Sequence, residues 1–76
     1  MRRFSDTPGR TWDVVLGRES WGSLYALFVP AGVGRAEPIR QALLHSSGYD
    51  QAQRELEAMD EPQLLRLLAA AEPRNP

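Results

Sequence analysis

The unbroken apolar run LYALFV, Leu24 to Val29, constrains this chain more than any other stretch. Read with a period of two, Leu24, Ala26 and Phe28 point one way while Tyr25, Leu27 and Val29 point the other, so a strand here is apolar on both faces. Such a strand belongs in the middle of a sheet with cover on both sides, or at a subunit interface. The run stops at Pro30, far short of the roughly 20 residues that a membrane helix needs. Neither membrane insertion nor secretion is expected, since no apolar stretch of signal-peptide length follows the arginines of MRRFSDTPG.

The preceding sequence supplies neighbours for that strand. RRFSD and RTWDVVL flank TPG, and a three-residue loop over Thr7, Pro8 and Gly9 sets Asp6 opposite Arg10 and Phe4 opposite Trp12, both favourable cross-strand pairs. In the second strand Trp12, Val14 and Leu16 make one apolar face. Between the second and third strands stands GRESWG, in which Gly17 and Gly22 mark a turn or bulge and Arg18 and Glu19 form a charge pair at the tip. Trp21 depends on where the third strand begins: from Ser20 it shares a face with Tyr25 and Leu27, and from Ser23 it stands on the loop beside Arg18.

After the AGVG turn, RAEPIRQALLH satisfies two periodicities. As a strand it alternates Ile39, Gln41, Leu43 and His45 against Arg40, Ala42 and Leu44; as a short helix it places Pro38 in the first turn and Ile39, Ala42 and Leu43 on one stripe. The strand is favoured, because it completes an antiparallel meander and gives the third strand a second neighbour.

From Tyr49 the spacing turns helical, with Tyr49, Ala52, Leu56 and Met59 on one stripe expected to pack on the sheet. A second helix starts at DEPQ, where Asp60 caps, Glu61 and Pro62 fill the first turn and Gln63 completes a capping box. Leu64, Leu65, Leu67, Leu68 and Ala71 form its apolar band, too broad for one narrow stripe, so some leucines are expected at the surface or at a subunit contact.

The expected fold is a single α+β domain over residues 1–76. A three- or four-stranded antiparallel meander (about 2–6, 11–18, 21–29, with 36–45 as the fourth) precedes a C-terminal helical hairpin (about 48–59 and 61–71) packed on one sheet face, with a frayed tail over 73–76.

Composition narrows the function. A chain of 76 residues buries only about 60% of the surface it exposes when unfolded, so one small core is all it builds, and a homodimer sharing that core is a real alternative. The absence of cysteine removes disulfides and thiolate zinc sites, and fits a bacterial cytoplasmic setting. All nine basic residues are arginine, which GC-rich codon usage accounts for more simply than a phosphate-binding surface. Net charge is −1, the first half being basic and the second acidic, which suits the halves docking on each other.

Chemistry-bearing motifs are scarce. Gly32 and Gly34 follow a strand, but Glu37 takes the third position of a dinucleotide fingerprint and the chain is too short for the fold that motif serves. His45 is the single histidine and has no partner motif, so no catalytic residue, metal or cofactor is expected. The expected function is protein binding without catalysis, by a small regulatory or self-associating module. Its contacts come from the open sheet face (Trp12, Trp21, Tyr25) or the last helix (Leu65, Leu68), with Arg18 and Arg40 steering an acidic partner. The alternative is a weak single-stranded nucleic-acid binder, in which sheet arginines are interleaved with Phe4, Trp12, Trp21 and Tyr25.

Overall fold

The structure, a computed structural model, describes residues 2–18, 22–32, 37–46 and 48–74. Five strands, β1 (Arg2–Ser5), β2 (Thr11–Arg18), β3 (Leu24–Pro30), β4 (Arg40–Leu44) and β5 (Glu72–Pro73), form one antiparallel sheet in the order β1-β2-β3-β4-β5. Two helices, α1 (Tyr49–Ala58) and α2 (Glu61–Ala70), lie between β4 and β5 in sequence and pack on one face of that sheet, α1 against β2 and β3 and α2 against β4. This is the expected α+β arrangement with one more strand.

The hairpin has the register its sequence implies. Phe4 pairs with Trp12, the Asp6 N–H donates to the Arg10 carbonyl at 2.8 Å, and Gly9 closes the turn at φ +92°, where a side chain would be strained. Asp6 is the buried polar residue among those described: its carboxylate accepts from the Arg10 backbone N–H at 2.7 Å, from Arg10 Nε at 2.9 Å and from Trp12 Nε1 at 3.0 Å. One side chain therefore ties the turn, the second strand and the largest core residue together.

β3 takes the central position expected of a strand apolar on both sides. On the covered face Phe28 and Ala26 are fully buried beside Trp12, Val14, Phe4 and Ala42, and the helices close this layer with Leu56, Leu64 and Leu68. Phe4 and Phe28 meet edge to face, their centroids 6.0 Å apart.

Residues 40–44 are strand, as favoured, though β4 is shorter than the 36–45 span. The expected tail differs most. Helix α2 ends at Ala70, and the chain returns through β5 to pair Glu72 with Gln41 and Pro73 with Arg40, so residue 73 is in the sheet. A proline fits there because β5 is an outer strand that need not donate to a further neighbour. The capping box of α2 is present in both directions, Asp60 accepting from the Gln63 N–H and Gln63 accepting from the Asp60 N–H, each at 2.9 Å.

Helix α1 has no side-chain cap at Gly48 and no basic residue in its last turn. Arg2, from the other end of the chain, compensates: its Nη1 donates to the Glu57 carbonyl at 2.9 Å and to that of Leu56 at 3.5 Å, placing a cation on the negative end of the helix.

Candidate functional site

With both helices on one side, the period of two sends alternate residues of every strand to the other side. Across β2, β3 and β4 the register stacks Val15 beside Leu27 and Gln41, and Gly17 beside Tyr25 and Leu43, while Asp13 pairs with Val29. Val15, Tyr25, Leu27 and Val29 are half-buried, Leu43 is 49% exposed, and Ile39, just before β4, is 39% exposed; Tyr25 and Leu43 also border a groove with Leu67 and Ala70 of α2. An ideal Cβ on Gly17 would lie 2.7 Å from Leu27 Cδ1, so Leu27 folds over the bare backbone at Gly17 and the pair forms a level apolar surface.

Charged groups stand at the two borders of this surface. On the β1 side Arg3 clamps Asp13 through Nε at 2.8 Å and Nη2 at 3.2 Å, and this bond, with the positive guanidinium beside it, holds the Asp13 carboxyl below its ordinary value. On the β5 side Glu72 sits next to Gln41 in the register, and Arg74 reaches Gln41 Oε1 at 3.5 Å while its backbone N–H donates to the Ile39 carbonyl at 2.7 Å. The face is thus an apolar centre on β2–β4 with a polar border on each side.

The contact residues expected from sequence are scattered by the fold. Tyr25 lies on the open face. Arg40 does not steer a partner there: it lies on the covered side of the sheet, where its Nη2 donates to the Ala71 carbonyl at 3.0 Å and anchors the exit from α2. Leu68 is 5% exposed and belongs to the core, and Leu65 and Leu67 are partly buried against it, so the leucine band of α2 packs largely on the sheet. Trp12, at 1% exposure, is likewise interior. Arg18 is exposed, but its guanidinium carbon stands 6.0 Å from the Tyr49 ring centroid, on the helix side. Tyr49, expected in the core, is 47% exposed, because the first residue of α1 overhangs the end of the sheet. β3 begins at Leu24, one residue after the later of the two expected starts; Trp21 lies outside the described residues.

Leu43 and Ile39 are exposed apolar residues that the sequence alone does not single out. Their signal was the alternation of residues 39–45, blurred by the helical stripe that fits the same letters.

The arginine and aromatic platform of the nucleic-acid reading is not assembled among the described residues. Phe4 and Trp12 lie beneath the helices, Arg2 holds α1, Arg3 and Arg10 are paired with Asp13 and Asp6, and Tyr25 is the described aromatic on the open face. His45 is exposed beside Ser46, whose hydroxyl donates to Glu55; the shallow groove of about 450 Å³ around them is otherwise lined by residues such as Leu43, Gln51 and Met59. No group of three or more His, Asp or Glu side chains able to hold a metal ion occurs among the described residues, and none of their helices is long and apolar enough to cross a membrane.

Comparison with protein-family models, with curated proteins and with solved structures found no match. Function rests on the geometry alone.

Proposed function

We propose that this protein is a small interaction module that binds protein through the open face of its sheet, without catalysis. The observation that carries this reading is the half-exposed apolar surface of Val15, Tyr25, Leu27, Val29 and Leu43 on the sheet face turned away from the core, although β3 is the central strand. A domain of this size has few apolar residues to spare, and placing five of them on the side away from the core costs core volume. Continuous apolar surface with a polar border is what protein-protein contacts use, the centre supplying the burial and the border the register.

Site-specific crosslinking tests it. A photoreactive phenylalanine derivative at Leu43, in cells of the source organism, is expected to give a discrete protein adduct, whereas the same group at Arg66, exposed on α2, gives none. Absence of any adduct at both Leu43 and Val15 would remove the interaction reading.

A further inference from the structure

We infer that the occupant of the open sheet face is a second copy of this chain, stacked face to face as the other half of a β-sandwich; the inference rests on the interaction reading above and names its partner. Three observations point to it.

The first is charge. A two-fold interface sets a patch against itself, so a face of net charge repels its own copy. Here the border side chains that the register and the hydrogen bonds place carry both signs at each edge: Arg3 with Asp13 on one side, Glu72 and Arg74 on the other. Borders of mixed sign do little to steer a strongly acidic or basic partner, while they offer an identical copy both signs to meet its own.

The second is shape. Sheets pack face to face about 10 Å apart with their strands within about 30° of each other, an angle set by the twist of each sheet. A second copy supplies a sheet of the same twist and strand lengths. The level surface that Leu27 and Gly17 make on β2 and β3 suits this kind of contact, and Tyr25 and Leu43, adjacent in the register, provide the larger side chains that interdigitate.

The third is area. Five strands spaced about 4.8 Å apart span about 19 Å, and the seven residues of β3 at about 3.3 Å each run about 23 Å, a footprint of about 440 Å² per copy. Two such faces bury about 900 Å² before side-chain relief is added, the low end for a specific interface. The dimer is accordingly weak and reversible.

Sedimentation equilibrium from about 5 to 500 μM covers a weak association of this kind. The full chain is expected to shift from monomer to dimer with concentration, Leu43→Glu to remain monomeric at the top of the range, and Arg66→Glu on α2 to dimerise like the parent. Leu43 is half-exposed and Arg66 fully so, and far-UV circular dichroism checks that both variants are folded. A parent that stays monomeric throughout overturns the inference, as does a dimer that survives both Leu43→Glu and Val15→Arg. Crosslinking separates the two levels: a monomeric protein whose Leu43 captures a different protein keeps the interaction reading and loses the dimer, and a monomer that captures nothing loses both.

Discussion

Asp6 shows how one residue can set the pH behaviour of a small domain. Burial pushes its carboxyl upward, but the Trp12 indole N–H, the Arg10 backbone N–H and the Arg10 guanidinium all favour the charged form, and together they hold it below the ordinary carboxylate value. A carboxyl whose folded value is depressed contributes stability that is fully present above its unfolded value, about 3.9, and is lost as pH falls through the folded one. Asp13, held low by Arg3, acts in the same direction at the surface. The urea midpoint is therefore expected to be flat from neutral pH down to about 5 and to fall below about 4, with Asp6→Asn showing a lower midpoint at neutral pH and a shallower acid limb. An acid limb unchanged in Asp6→Asn would show that this carboxylate does not govern it. Asp6→Ala leaves the Trp12 and Arg10 donors without their acceptor and is expected to cost about 1–3 kcal/mol at pH 7, read from the same denaturation curves.

At the level of elements, the ends of α1 and α2 are secured by different means. The Asp60 capping box is local and was legible as DEPQ; Asp60→Ala is expected to cost about 1 kcal/mol. The C-terminal carbonyls of α1 depend on Arg2, more than fifty positions away, which no local pattern reveals. Arg2→Ala is expected to cost about 0.5–2 kcal/mol and to speed amide exchange in the last turn of α1, with Arg2→Lys restoring part of the loss because the charge at the helix end is kept. Equal exchange in parent and Arg2→Ala would mean that the helix end holds itself.

The same distinction explains what the sequence made visible. The hairpin register, the central place of β3 and the cap of α2 each follow from residues a few positions apart. β5 could not be foreseen, because two residues with a proline carry no periodicity and only pairing with Arg40 and Gln41 makes them a strand. Residues 39–45 fitted two periods, and it is the neighbouring strand that selects one. Tyr25 was legible as a surface residue of the candidate site, whereas Leu68 and Arg40 turned inward because α2 and the chain after it fold back over β4, a long-range event.

On the scale of the whole molecule, one sheet carries two apolar faces with unequal duties, and β3 displays both on consecutive residues. Phe28 is fully buried under the helices, whereas Leu27, one position earlier, lies half-buried over Gly17 on the open side. Removing a large core side chain costs about 3–5 kcal/mol, while a domain this small holds only about 4–11 kcal/mol in total. Phe28→Ala is thus expected to leave much of the population unfolded at 25 °C. Leu27→Ala loses part of one side chain's contacts on a surface that relaxes easily, a cost of about 1 kcal/mol, and keeps a cooperative thermal transition. Because the open face is also the proposed dimer surface, Leu27→Ala should weaken self-association even though its fold persists, and Phe28→Ala should lose both together. Thermal unfolding followed at two protein concentrations separates these effects: the melting temperature of the parent rises with concentration through coupled association, and that of Leu27→Ala rises less. A Leu27→Ala variant that unfolds as completely as Phe28→Ala would mean that the two faces share one core and that the open side is structural after all.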